Sequence, residues 1–145
     1  MNEDRLAPYG AFLLRVSMGV MLLAHGLVLK VMTYTPAGTA QYFESIGYPG
    51  FFAYLVIAAE ILGGLALIAG LFTRLVSLAL VPVMIGATLE HAGNNWVFSA
   101  EGGGWEFPVF WTATLLAQAL LGDGAYGLTR KVAGGLGGGA LARTA

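Results

Sequence analysis

Long runs of apolar residues, separated by short polar segments, make up most of this chain of 145 residues. Four such runs are present, at residues 10–32, 51–72, 75–92 and 107–121. A helix needs about 20 apolar residues to cross a hydrocarbon core of about 30 Å, so each run has the length, or nearly the length, of a membrane span. The pattern predicts an all-α integral membrane protein, a bundle of four spanning helices.

Composition supports this interpretation and narrows the chemistry. Apolar residues make up 57% of the chain and charged residues 10%, whereas a soluble domain carries about 25% charged residues. The length allows one domain, which we place at residues 1–130, followed by a flexible glycine-rich tail at 131–145. A net charge of −1 leaves no basic surface for nucleic acid. The absence of cysteine excludes thiolate catalysis, iron–sulfur ligation and covalent attachment of a c-type haem.

The distribution of basic residues predicts the orientation. Arginine and lysine are concentrated at the N-terminus, in the second connection and after the fourth run, at Arg5, Arg74, Arg130, Lys131 and Arg143. The other two connections, residues 33–50 and 93–106, contain neither. With four spans, the positive-inside rule places both termini in the cytoplasm. We therefore expect a multi-pass protein of the inner (cytoplasmic) membrane, N-in and C-in.

Several ionisable residues lie within the apolar runs, where a charge costs about 2.5–3.5 kcal/mol or more. Counting about 1.5 Å per residue from the outer ends of the spans, we expect His25 and Glu60 to lie nearly level. Lys30, Glu90 and His91 lie closer to the outer edge. These five residues form a predicted outer polar layer.

A second, inner polar layer is predicted nearer the cytoplasm, at the level of Arg15, Ser77 and Gln118. The simplest role of Arg15 is to reach the cytoplasmic face and pair with carbonyl groups at helix ends. A stripe of small residues in the second run permits a close approach of helices, at Ala59, Gly63, Ala66 and Gly70. Residues 39–46 are expected to form a short amphipathic helix at the outer face.

Four segments together resemble the DoxX family of small membrane proteins. They are LLRVSMGVMLLAHGLVLK (residues 13–30), IGYPG (46–50), AAEILGGLALIAGLFTR (58–74) and GDGAYGL (122–128). The resemblance covers about residues 10–130 and implies a four-helix membrane fold. Members of this family include the small subunit of a thiosulfate:quinone oxidoreductase, and others are linked to thiol and oxidative-stress systems. Since many members have no assigned activity, the family implies a fold more firmly than a reaction.

Two functional hypotheses follow. In the first, the chain is the membrane subunit of a quinone-linked oxidoreductase, in which Glu60 and His25 transfer protons and Lys30, Arg15, Glu90 and His91 contribute to binding. Electrons come from a partner subunit, since we expect no haem, flavin or iron–sulfur cluster on this chain. In the second, it is a non-catalytic anchor or assembly subunit of a larger membrane complex.

Other interpretations are less favoured. A transporter or channel has little room for a pore among four short spans. A b-type haem would need His25 and His91 as axial ligands, which differ in depth by about 8 Å at an α-helical rise. A metal held by His25, Glu60 and His91 lacks a ligand-spacing motif.

Overall fold

Every regular element is helical in the part of the chain that the computed structural model describes, residues 3–129 and 131–133. The elements are α1 (Glu3–Leu23), a π-helical segment (Ala24–Thr33), α2 (Pro36–Ser45), α3 (Phe51–Ala69), α4 (Thr73–His91) and α5 (Glu106–Leu121). The predicted all-α fold is confirmed. α1 begins before the predicted apolar run and passes without a break into the π-helical segment, which the sequence did not predict.

The helices have the length and surface of membrane spans. Three stretches are long and apolar enough to cross a membrane, namely Arg5–Thr33, Phe51–Ala69 and Thr73–His91, and Glu106–Leu121 is apolar but shorter. Large apolar side chains point away from the helix contacts, so that Leu13 is 66% exposed and Leu120 79% exposed. Such a surface suits lipid rather than water. The chain is therefore a multi-pass membrane protein.

α1 and α3 pack closely in antiparallel orientation. A Cβ built at Gly19 would lie 2.7 Å from the carbonyl oxygen of Gly64, and one built at Gly26 would lie 2.8 Å from Cβ of Glu60. Gly19 meets Gly64, whereas Gly26, further along in the π-helical segment, meets the earlier residue Glu60. The two helices therefore run in opposite directions. Small residues at the contact allow this approach.

α4 completes the packing on the other side of α3. The Leu80 side chain covers Gly63, where a built Cβ would lie 3.0 Å from Leu80 Cδ1. Gly63 belongs to the predicted small-residue stripe and faces α4. The closest approach of α3 to α1 occurs at the next residue, Gly64. α5 runs antiparallel to α4, since Arg74 at the start of α4 donates to the carbonyl of Ala119 near the end of α5.

A buried apolar cluster joins the four long helices. Its members are Met18, Leu22, Leu67, Leu80, Met84, Trp111 and Leu115. Four of them, Leu22, Leu67, Leu80 and Leu115, are at most 2% exposed. We call the three that lie on α1, α4 and α5, namely Leu22, Leu80 and Leu115, the apolar layer. We call the end of the molecule that holds Arg15 and the α3–α4 turn the inner end, and the end that holds Lys30 the outer end.

The segment after α5 is anchored to the inner end. Ala125 N donates to the carbonyl of Pro8 at 2.8 Å, and Leu128 N donates to the carbonyl of Gly70 at 2.9 Å. Residues 122–129 precede the predicted flexible tail at 131–145, and their backbone groups bind two other elements. Residues 134–145 of the predicted tail lie outside the described residues.

The short outer helix α2 begins earlier than predicted. Thr35 accepts a hydrogen bond on its side chain from Gly38 N at 3.1 Å, and Pro36 occupies the start of the helix. A threonine cap followed by proline is a favourable helix start. The threonine side chain accepts from a backbone N–H in the first turn, and proline has no N–H that would need a partner.

Candidate functional site

A buried ion pair joins the π-helical segment to α3 at the outer end. Lys30 Nζ donates to both carboxylate oxygens of Glu60, at 2.7 and 2.8 Å. The side chain of Glu60 is 4% exposed and that of Lys30 is 19% exposed. Within the predicted outer polar layer, Glu60 is therefore paired with Lys30.

Local backbone features position this pair. Gly26 lies against Glu60 with no room for a larger residue, so the carboxylate can approach the π-helical segment directly. α2 covers the outer end of this segment, where the Thr39 hydroxyl lies 3.1 Å from the carbonyl of Lys30 and can donate to it. π-helical turns are rare and frequently occur at functional sites.

His25 lies in a separate aromatic environment close to the ion pair. Its Nδ1 lies 2.9 Å from the carbonyl of Met21, and since a carbonyl only accepts, Nδ1 carries the proton. In this tautomer, Nε2 is an acceptor. The ring packs edge-on against Trp111 at 5.1 Å and is stacked on Phe107 at 6.3 Å between centroids. No hydrogen bond joins His25 to Glu60 among the residues that the structure describes.

Glu90 and His91 secure the outer segments instead of joining the ion pair. The hydroxyl of Tyr42 in α2 donates to Glu90 at 3.3 Å. Burial, with the charge of Glu90 and this hydrogen bond, raises the pKa of Tyr42. The His91 ring packs on Gly103 in the loop between α4 and α5, which we call the second outer segment; a Cβ built at Gly103 would lie 3.2 Å from Cε1 of His91. Both residues lie at the outer end, as expected, but neither contacts Lys30 or Glu60 through a hydrogen bond in the described part.

Arg15 is fully buried at the inner end, away from the other predicted site residues. Its guanidinium donates to the carbonyls of Leu67 and Ile68 at the end of α3 and to those of Asp123 and Ala125 after α5. The predicted pairing with helix-end carbonyls is thus present. The side chain does not extend to the surface, because the segment after α5 folds over it.

Asp123 is the main residue of this region that sequence reasoning missed. Its carboxylate accepts from Thr73 N at 3.2 Å, at the start of α4. Burial would raise the pKa of Asp123, but hydrogen bonds from Thr73 and Thr129 and the charge of Arg15 lower it below its usual value. The only signal in the sequence was a lone acidic residue between two glycines, which a turn explains equally well.

The predicted ligand sets for a metal or haem are not assembled. Within residues 3–129 and 131–133, no group of three or more histidine, aspartate or glutamate side chains could hold a metal ion. His25 and His91 pack on different elements, one against α5 and the other against the loop before it. Neither alternative therefore gains support from the geometry.

These features define a multi-pass helical membrane protein with a buried ion pair at one end and a buried arginine at the other. The chain belongs to the DoxX family, whose family model matches residues 10–93.

Two relatives extend the comparison. The chain is 41% identical over 81 residues to the Bacillus subtilis (strain 168) protein named "Putative oxidoreductase CatD", a match that covers 55% of this chain and 58% of that protein. It is 32% identical over 132 residues to the "Inner membrane protein YqjF" of Escherichia coli (strain K12), which covers 87% of this chain and 94% of the relative. No solved structure matches the chain.

Proposed function

We propose that the chain is the integral membrane subunit of a quinone-linked oxidoreductase complex, with its quinone site beside Lys30 and Glu60. The buried ion pair carries this proposal. Charged groups within a membrane helix are costly, and those that are present commonly serve ion, proton or ligand chemistry. The name of the CatD relative, which places it among the oxidoreductases, gives independent support.

The chemistry of the pair suits a quinone head group. A quinone carbonyl accepts hydrogen bonds, and the Lys30 ammonium is a triple donor that stays partly exposed. Glu60 and the free Nε2 of His25 are groups that can transfer protons as the quinone is reduced. The aliphatic and aromatic residues around them would hold the tail. Electrons would come from a partner subunit that carries a flavin or metal.

The proposal includes a membrane arrangement. α5 is taken as a fourth span, both termini lie in the cytoplasm, and the membrane is the inner (cytoplasmic) membrane. The lysine and arginine distribution supports this orientation, and the printed name of the YqjF relative supports the membrane.

A second candidate is a non-catalytic anchor or assembly subunit. The observation that favours it is the closed geometry of the ion pair, in which both oxygens of Glu60 are already bound by Lys30. On this interpretation the pair only holds the π-helical segment against α3.

Binding of a short-chain ubiquinol to the purified protein in lipid nanodiscs separates the two candidates, because the hydroxyl groups of this reduced form can donate to the Glu60 carboxylate and to Nε2 of His25. Glu60→Gln should remain folded, because the amide still forms hydrogen bonds, but should weaken binding by about tenfold or more, which is the loss expected for one charge-assisted hydrogen bond. His25→Ala should also weaken binding. The matched control is Glu101→Gln, an exposed acid in the second outer segment. Wild-type affinity in both site variants, with normal assembly of the complex, would leave the anchor as the function.

A further inference from the structure

We propose that water enters the bundle from a crevice at the inner end, reaches Ser77 and Gln118, and is stopped there by the apolar layer. This hydrated pocket is distinct from the outer ion pair, and it does not depend on the quinone proposal.

The crevice provides the entrance. It has a volume of about 920 Å³ and is lined by the start of α1, the α3–α4 turn and the segment after α5, including Pro8, Arg74, Asp123 and Thr129. A water molecule in the liquid occupies about 30 Å³, so many waters fit. Thr73 also lines the crevice, and its side chain is fully buried, so the crevice reaches the start of α4.

Two buried polar groups lie next along this path. Ser77 is one helical turn beyond Thr73 on α4. Gln118 lies at a similar level of α5, next to Ala119, whose carbonyl is bound by Arg74 at the start of α4. Both Ser77 and Gln118 are 0% exposed. Within the described residues, Ser77 Oγ and Gln118 Oε1 have no hydrogen-bond partner. The amide nitrogen of Gln118 donates to the carbonyl of Gly122 at 2.8 Å, which directs the oxygen elsewhere.

Water is the ligand that these two atoms select. Leaving a buried polar group unpaired costs about 1–3 kcal/mol, and buried water characteristically bridges such groups. A hydroxyl can donate or accept, whereas the amide oxygen only accepts, so a bridging water can donate to Gln118 and bond to Ser77 in either sense. Beyond them, the side chains of Leu22, Leu80 and Leu115 offer no polar atom. The next buried polar atom without a partner in the described part, Trp111 Nε1, lies one turn of α5 past Leu115, so we place the end of the chain of waters at the apolar layer.

Single cysteines test the proposal directly, because the chain has none of its own. Thiol modification by methyl methanethiosulfonate proceeds through the thiolate, which needs water to form. Ser77→Cys should react at least about tenfold faster than Leu80→Cys, which lies one turn further along α4. The two native residues are equally inaccessible, at 0% and 2% exposure, so burial alone predicts similar rates. Equal rates in folded protein would overturn the proposal.

A measurement on the unmodified chain covers the case in which either variant fails to fold. Met18 and Met84 are both 3% exposed, but the antiparallel register places Met18 on the Gln118 side of the apolar layer and Met84 beyond it. Hydroxyl radicals generated from water should oxidise Met18 several-fold faster than Met84. Equal oxidation, or faster oxidation of Met84, would show that water does not reach the inner pocket preferentially.

Discussion

Gly19→Ala should destabilise the protein, whereas Gly10→Ala on the same helix should not. A Cβ added at Gly19 would lie 2.7 Å from the carbonyl oxygen of Gly64 and 2.7 Å from Cγ1 of Ile68. The first contact is with backbone, so α1 and α3 must move apart to relieve it. A Cβ at Gly10 would meet nothing within 4 Å.

The paired design isolates the packing cost. Inserting a methyl group into a tight contact costs about 1–3 kcal/mol, while alanine is favoured over glycine inside a helix by about 0.5–1 kcal/mol. The second effect is common to both variants. The difference between their free energies of unfolding should therefore be about 1–3 kcal/mol, with Gly19→Ala the less stable.

Reversible unfolding in mixed micelles, with increasing mole fraction of sodium dodecyl sulfate and helicity followed by circular dichroism, measures this difference. Equal free energies of unfolding for the two variants would refute the reasoning, since they would mean that α1 and α3 are not in backbone contact at Gly19 and Gly64.

Three further predictions concern the inner end and the orientation. Arg15→Lys keeps the charge but loses the planar set of donors, and should lower the free energy of unfolding by about 2–4 kcal/mol. Arg74→Lys should change it by about 0.5 kcal/mol or less. Equal losses would contradict the role of the Arg15 hydrogen bonds in holding α3 to the segment after α5. The pKa of Asp123 is lowered in the folded state, so its contribution is present above the unfolded value of about 3.9 and is lost as the pH falls towards the folded pKa. Asp123→Asn should abolish that part of the acid destabilisation in unfolding titrations, and an unchanged pH profile would exclude the linkage. In intact cells, an impermeant maleimide should label Ser99→Cys but not Lys131→Cys, and the reverse pattern would invert the proposed topology.

The number and type of long helices were predictable because hydrocarbon thickness imposes a length on apolar runs. The short outer helix was also predictable, since its polar and apolar positions alternate with a helical period. Its start at Pro36 depends on the Thr35 cap, a local signal that was present in the sequence. These features depend on neighbouring residues or on the membrane, and not on which distant segments meet.

The contacts at the two polar ends were less predictable, because they depend on long-range geometry. Depth counted at an α-helical rise placed Lys30 above Glu60, but π-helical turns contain more residues and advance less per residue. The π-helical geometry shortens this separation, and the long side chain of Lys30 reaches both oxygens of the carboxylate. At the inner end, the glycines of residues 122–127 gave no indication that this segment would return to cover Arg15.

The π-helical segment also makes the spacing of the chain, and not only its chemistry, a determinant of the ion pair. Each turn from Ala24 to Thr33 holds an extra residue compared with an α-helix. If the same residues were wound as an α-helix, every later side chain would rotate about the helix axis, and Lys30 would turn away from Glu60. Deleting a single lipid-facing residue such as Val28 would compensate for this change, because an α-helical turn needs one residue fewer. The pair therefore depends on the number of residues per turn in this segment, and not on the identity of the side chains on its outer face, where one apolar residue can replace another.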